Sequence, residues 1–196
     1  MKYSFFAMLS RMKSITRWAL MRNTRLENLC EHSYETAVLA HALAELTNRR
    51  FGGNVDVGRC VMLALYHDTT EIFTGDLPTP VKYDNPAIKE AYRSLETAAA
   101  ERLLALLPED LKPTYATFYE EQQGEELERR LVKAADKLSA LIKCVEEIGQ
   151  GNKEFSKAEG STLRSLKNME LPAVDCFLKE FLPAYRLTLD EQEAKA

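Results

Sequence analysis

Apolar residues recur at helical spacing along nearly the whole chain, and the strict alternation that is typical of β-strands does not recur. Short stretches rich in glycine, proline or polar residues interrupt this pattern, at 51–54, 74–80, 107–113, 122–124, 149–152 and 182–186. The segments between them are predicted to be helices, over roughly 2–13, 28–49, 56–72, 85–107, 112–122, 125–149 and 171–186. The sequence therefore predicts an all-α fold, a helical bundle that forms a single domain over 1–196.

Composition and charge narrow the classes of function. The chain has 196 residues, of which 45% are hydrophobic and 29% charged, so it can bury a sizeable core. Its 26 basic and 30 acidic residues are mixed, and the net charge is −4. Because no basic stripe or polybasic patch is present, we expect no nucleic acid polymer and no membrane surface as a partner.

The same features predict a cytoplasmic protein. No apolar stretch has the length of a membrane span, and the N-terminus lacks the long apolar region and cleavage site of a signal peptide. The four cysteines are far apart, form no CxxC pair and lie in apolar helical patterns. We expect them to be reduced, buried thiols.

Three groups that are costly to bury, His67, Asp68 and Glu71, end an apolar run that reads CVMLALYHDTTEIF. If the predicted helix continues through them at about 100° per residue, they share its small-residue face. The same counting directs His32 into the core and His41 to the other side of the preceding helix. Inward imidazoles and a carboxylate on adjacent helices are the groups from which bundles build metal sites. We therefore predict a site for a divalent metal.

A fourth ligand is expected from a distant helix, where the candidate is Asp136. The main apolar stripe of that helix lies on the opposite side, so periodicity alone predicts that Asp136 is exposed. A narrower strip of Val132, Ser139 and Ala140 flanks Asp136 and indicates a helix that is buried on two sides. The assignment of Asp136 therefore depends on a resemblance to known sequences.

Three segments carry such a resemblance: SRMKSITRWALMRNTRLENLCEHS, HDTTEIFTGDLPTPVKY and KAADKLSALIKCVEE. With an isolated His32, the adjacent His67 and Asp68 and a distant Asp136, they resemble the HD-domain metal-dependent phosphohydrolases, and among these the bacterial 5'-deoxynucleotidases. A His-Asp pair alone is a weak signal, whereas the surrounding segments are more specific. The similarity covers nearly the whole chain and implies a bundle of the HD-domain type.

The resemblance implies an activity and a metal site. The activity is hydrolysis of deoxyribonucleoside 5'-monophosphates to deoxynucleoside and phosphate by a metal-activated water, selective against ribonucleotides and tolerant of the base. His32, His67, Asp68 and Asp136 match the ligands of one divalent ion, with cobalt or manganese expected and zinc, copper, iron or magnesium as alternatives. Glu71 matches the residue that assists the attacking water as general base or orienting group. A homodimer is expected, because members of the family commonly pair through helices.

Substrate recognition is also implied. Arg17 matches the arginine that orients the phosphate during catalysis, and Trp18 offers an apolar wall that leaves a ribose 2'-hydroxyl without a partner. The segment 76–79 matches a loop that closes over the sugar and phosphate, where Asp76 accepts a hydrogen bond from the 3'-hydroxyl. The expected substrate-binding residues are Arg17, Trp18, His32, Asp68, Asp76, Leu77, Pro78, Thr79 and Asp136.

Each feature also has a purely structural interpretation. A lone inward His32 is more often a hydrogen-bonded core residue than a ligand, and HDTTE fits an ordinary polar helix end. Arg17 and Trp18 fit a cation–aromatic packing pair, and Asp76 fits a turn. For the whole protein, the alternatives are a phosphohydrolase of the same superfamily that acts on nucleoside triphosphates or a signalling nucleotide, and an inactive nucleotide-binding helical protein.

Overall fold

The structure is a computed structural model that describes residues 2–78, 81 and 85–193. Within these ranges the regular elements are helices, beside one isolated antiparallel bridge between Thr16 and Asn28. The prediction of an all-α fold is therefore confirmed. No described helix is both long and apolar enough to cross a membrane.

The α-helices are α1 (Phe5–Leu9), α2 (Leu29–Arg50), α3 (Val57–Tyr66), α4 (Glu71–Thr74), α5 (Pro86–Leu104), α6 (Lys112–Tyr119), α7 (Glu126–Gly149), α8 (Ser156–Lys167), α9 (Pro172–Glu180) and α10 (Leu189–Glu193). Short 3₁₀ helices cover Ser10–Ser14, Lys153–Phe155 and Leu182–Arg186. The sequence does not predict α8, because Gly160 and several Ser and Thr residues give it a low helix propensity. Packing of the buried Leu166 compensates for that low propensity.

Two predicted helix starts are confirmed by their caps. The Asp56 carboxylate accepts a hydrogen bond from the backbone N–H of Arg59 at 2.9 Å, just before α3. The Asn85 side chain accepts from the N–H of Ile88 at 3.0 Å, and Pro86 occupies the first helical position of α5.

The third helix ends at Tyr66, earlier than the predicted end near residue 72. The Tyr66 carbonyl accepts hydrogen bonds from the Thr69 N–H at 3.2 Å and the Thr69 hydroxyl at 2.8 Å, and these bonds compete with another helical turn. A turn follows, and α4 begins at Glu71. The prediction that His67, Asp68 and Glu71 share one face of a continuous helix was therefore wrong.

The chain divides into two compact units: unit 1 contains 1–20, 26–34 and 65–125, and unit 2 contains 21–25, 35–64 and 126–196. In unit 1, the buried Phe5, Leu103 and Leu107 form an apolar cluster. In unit 2, the core is formed by the inward faces of its helices, including Leu43, Leu138 and Ile142, which are fully buried. A single domain over 1–196 stays a prediction.

A buried carboxylate anchors the segment 21–25 within unit 2. Glu147 of α7 accepts hydrogen bonds from the N–H of Thr24 at 2.9 Å, from the Asn152 side chain at 2.8 Å, and from the Thr24 hydroxyl and the Lys143 ammonium. Burial raises the pKa of Glu147, but the hydrogen bonds from Lys143, Thr24 and Asn152 lower it more, so its pKa lies well below its usual value. The carboxylate is therefore ionised in the folded protein.

We expect Glu147→Gln to lower the free energy of unfolding by about 3 kcal/mol at pH 7, because Lys143 stays buried without its counter-charge. Since the folded pKa is lowered, this stabilisation is complete above the unfolded pKa of about 4.3 and decreases as the pH falls below it. Urea unfolding at pH 7 and pH 3 should thus show a smaller difference between wild type and variant at pH 3. An equal difference at both pH values would contradict this account.

Candidate metal centre and active site

Backbone hydrogen bonds place Arg17, a candidate substrate-binding residue, next to the start of α2. The Arg17 N–H donates to the Glu27 carbonyl at 3.0 Å, and the Leu29 N–H donates to the Ile15 carbonyl at 3.0 Å. Arg17 is therefore held beside the segment that leads into α2, the helix that carries His32.

Two imidazoles and a carboxylate converge in unit 1. The Nε2 atoms of His32 and His67 lie 3.3 and 3.2 Å from Oδ2 of Asp68, and all three atoms lie within 4.8 Å of one another. His32 is fully buried, as predicted. Nitrogen and oxygen donors aimed at one point are the donor set of a first-row transition metal, so these residues fit a divalent ion.

The charge of Asp68 suits this role. Burial raises its pKa, but the charge of His67 and the hydrogen bonds from His32 and His67 lower it more, so the pKa of Asp68 lies well below its ordinary value. Asp68 therefore offers an ionised oxygen at neutral pH.

Asp136, the predicted fourth ligand, lies on α7 in unit 2 and is half-buried. Val132 and Ser139, which flank it, are buried, and Ala140 is half-buried. Four residues of the main apolar stripe of α7 are also buried: Leu131, Leu138, Ile142 and Val145. The prediction from periodicity that Asp136 is exposed was therefore wrong, and the burial of α7 on two sides is confirmed. The converging group consists of His32, His67 and Asp68, and the role of Asp136 as a ligand stays a prediction.

Arg17 points at the same carboxylate. Its Nη1 donates to Oδ2 of Asp68 at 3.3 Å and lies 3.8 Å from Oδ1 of Asp76, while its Nε lies 3.7 Å from Oε2 of Glu27. The side chain is only 11% exposed. A permanently charged fork of donors thus adjoins the candidate metal ligands, where it can bind an oxyanion.

Trp18 adopts a backbone conformation that bulky residues rarely accept. Its φ is +59°, which costs on the order of 1–3 kcal/mol. Two hydrogen bonds hold it there: its N–H donates to Oδ2 of Asp76 at 3.3 Å, and its indole Nε1 donates to Oε2 of Glu27 at 2.8 Å. Asp76 is therefore bound to the segment that carries Arg17 and Trp18.

Glu71, the candidate general base, begins α4 and is only 5% exposed. The hydroxyl of Tyr92, on α5, lies 3.4 Å from Oε1 of Glu71 and 3.4 Å from the Thr74 hydroxyl. A buried carboxylate held on one side by a tyrosine is restricted in orientation, as a proton acceptor needs to be.

The rest of the predicted substrate loop is only partly described. Leu77 and Pro78 are half-buried, and Thr79 lies outside the described residues. The Pro78 carbonyl accepts a hydrogen bond from the Val81 N–H at 2.8 Å. The roles of these residues stay predictions.

Sequence reasoning missed two residues that contact the site. Glu27 contacts Arg17, Trp18 and His32, and Tyr92 contacts Glu71. Glu27 lies within the first segment that carries the resemblance, so closer inspection of that segment could have found it. No signal in the sequence marks Tyr92, because a tyrosine in a predicted helix is ordinary.

Comparison with known proteins gives concordant matches. The family described as "5'-deoxynucleotidase YfbR-like" matches residues 4–185. A 5'-deoxynucleotidase from Enterobacter sp. (strain 638) is 48% identical over 95% of this chain and 94% of its own length.

Two solved structures are similar in fold. An HD-domain phosphohydrolase from Listeria innocua has a TM-score of 0.82 and 25% identity, over 98% of both chains. A predicted metal-dependent phosphohydrolase from Magnetospirillum magnetotacticum has a TM-score of 0.63 and 28% identity, over 98% of this chain and 91% of its own. These matches confirm both the resemblance found in the sequence and the predicted fold of the HD-domain type. The chain belongs to the YfbR-like 5'-deoxynucleotidase family.

Proposed function

We propose that this protein is a metal-dependent 5'-deoxynucleotidase, which hydrolyses deoxyribonucleoside 5'-monophosphates to deoxynucleoside and inorganic phosphate. One observation carries the proposal: two imidazoles and the Arg17 guanidinium converge on one carboxylate oxygen of Asp68. The predicted class of enzyme, a phosphomonoester hydrolase, agrees with the family to which the chain belongs.

His32, His67 and Asp68 would hold the metal, with Asp136 proposed as the fourth ligand. When bound, a divalent ion of this kind acidifies water and stabilises negative charge on phosphate oxygens. We propose cobalt or manganese as the ion, because mixed imidazole and carboxylate ligands suit transition metals. Zinc, copper, iron and magnesium are the alternatives.

The protein's own groups would handle the phosphate and the proton. Arg17 binds a phosphate oxygen, since its guanidinium is always charged and already lies 3.3 Å from a carboxylate oxygen at this position. Glu71 accepts the proton from the attacking water, and its burial keeps the carboxylate away from competing solvent.

Sugar selectivity is proposed to come from Trp18 and Asp76. The indole forms an apolar wall that leaves a ribose 2'-hydroxyl unpaired, which disfavours ribonucleotides. Asp76 accepts a hydrogen bond from the 3'-hydroxyl, and its own position is held by the Trp18 N–H. Because these contacts address the sugar and the phosphate, we propose that the enzyme tolerates different bases.

We also propose a homodimer in the cytoplasm. Tyr34 and Val38, one turn apart on α2, are 70% and 51% exposed, and such an apolar pair suits a contact between protein surfaces. The four cysteines form no disulfide with one another, as in a reducing compartment. Cys60 and Cys144 are buried as predicted, whereas Cys176 is only half-buried and Cys30 is exposed.

Phosphate release tests the proposed function. We expect metal-stripped protein to be inactive and to regain activity when cobalt or manganese is added, because its own residues alone do not activate water. Release from a panel of dNMPs should greatly exceed release from the matching NMPs, which serve as the control for the sugar. Release only from triphosphates or a cyclic nucleotide would contradict the substrate assignment, and no release with any metal would support the inactive binding protein.

A further inference from the structure

Glu27 lies in the segment just before α2 and contacts residues of both the candidate metal site and the candidate substrate site. Its Oε2 accepts a hydrogen bond from the Trp18 indole at 2.8 Å and lies 3.7 Å from Nε of Arg17. Its Oε1 lies 3.8 Å from Nδ1 of His32. One carboxylate therefore faces two substrate-binding candidates through one oxygen and a metal-ligand candidate through the other.

The backbone holds this carboxylate in place. The Glu27 carbonyl accepts from the Arg17 N–H at 3.0 Å. On the other side, Asn28 caps α2, because its Oδ1 accepts from the N–H groups of Cys30 at 3.0 Å and Glu31 at 3.1 Å. The Glu27 side chain is only 13% exposed, so its direction is set by the fold and not by solvent.

Each contact of Glu27 has a chemical consequence. A carboxylate facing Nδ1 of His32 keeps a proton on Nδ1, so Nε2, the atom nearest to Asp68, is the nitrogen that would give up its proton to bind a metal. The bond to the indole supports Trp18 in its strained conformation with φ +59°.

We propose that Glu27 is a positioning residue that links the two halves of the site: it orients the His32 imidazole towards the metal and holds Trp18 and Arg17 for the sugar and phosphate. The role of Glu27 towards the sugar and phosphate rests on the proposed function. Its effect on His32 and on Trp18 is measured in the absence of substrate.

Glutamine is a stringent replacement, because its side chain has the same size but only one acceptor oxygen. In either orientation, its amide N–H₂ group faces a donor: Nδ1–H of His32 on one side, or the Trp18 indole on the other. Glu27→Gln therefore loses the contact on at least one side and removes the negative charge on both.

Three measurements test the proposal on Glu27→Gln, with Glu31→Gln as a matched control, since Glu31 is exposed and lies four residues away. Calorimetric titration of metal-stripped protein with Co²⁺ should show an affinity lower by about 10- to 100-fold in Glu27→Gln. The chain has one tryptophan, so the fluorescence of metal-free protein reports Trp18 directly, and its emission should shift to the red. The KM for dAMP should rise.

Unchanged Co²⁺ affinity and unchanged Trp18 emission, relative to Glu31→Gln, would overturn the proposal whatever the kinetics show. If Glu27→Gln lacks a cooperative unfolding transition, Glu27→Asp decides instead. It keeps the charge but shortens the reach, so we expect intermediate Co²⁺ affinity and emission, and wild-type values would overturn the proposal. A wild-type protein that releases no phosphate from any dNMP would reject the proposed function, and the Co²⁺ and emission measurements would still decide the role of Glu27.

Discussion

Glu71→Gln is expected to lower kcat for dNMP hydrolysis by about 10²- to 10⁴-fold, with little change in KM. The variant keeps the shape of the side chain, and its amide oxygen can still accept from Tyr92, but it cannot take a proton from the attacking water. Steady-state phosphate release from dAMP over a range of concentrations separates kcat from KM.

Glu90→Gln is the control for this exchange, because Glu90 lies exposed on α5, the helix that also carries Tyr92. It should have the kinetics of the wild type. If Glu71→Gln keeps a kcat close to that of the wild type, Glu71 is not the proton acceptor.

Asp68→Asn is expected to weaken Co²⁺ binding more than 100-fold and to abolish phosphate release at micromolar metal. Changing a residue that only contacts a metal ligand lowers metal affinity by about 10- to 100-fold. The loss of affinity in Asp68→Asn should be larger, because Asp68 supplies the ionised oxygen on which His32, His67 and Arg17 converge. Calorimetry of metal-stripped protein with Co²⁺ measures the affinity directly.

Asp175→Asn provides the matched control for Asp68→Asn, because Asp175 is exposed on α9. Circular dichroism of both metal-free variants checks that they are folded. Unchanged Co²⁺ affinity in Asp68→Asn would exclude Asp68 as a ligand, and retained activity would mean that the hydrolysis does not need this site.

Glu27 and Tyr92 show why a resemblance identifies some functional residues and misses others. His67, Asp68 and Glu71 lie in one short stretch, which is recognised together with the longer segments that carry the resemblance. Glu27 and Tyr92 have no motif of their own, and their importance follows from the atoms that they contact. Tyr92 can be found only after its partner has been located in space, whereas Glu27 also lies in a segment that carries the resemblance.

The sequence by itself determined the helical class and several helix starts of this protein. Helical periodicity is local, and so are the caps at Asp56 and Asn85, because each cap bonds to a backbone N–H three residues later. The resemblance also led to Arg17 and Asp68, and the structure places Nη1 of Arg17 3.3 Å from Oδ2 of Asp68.

Only the tertiary structure decided which residues meet. Periodicity gives the rotation of a side chain about its own helix, but it does not say which other element faces that side chain. It therefore predicted that Asp136 is exposed, although packing on two sides leaves it half-buried. The contacts of Glu27 with Trp18 and His32 arise because the chain reverses between residues 17 and 27 and pairs with itself, a reversal that helical periodicity does not record.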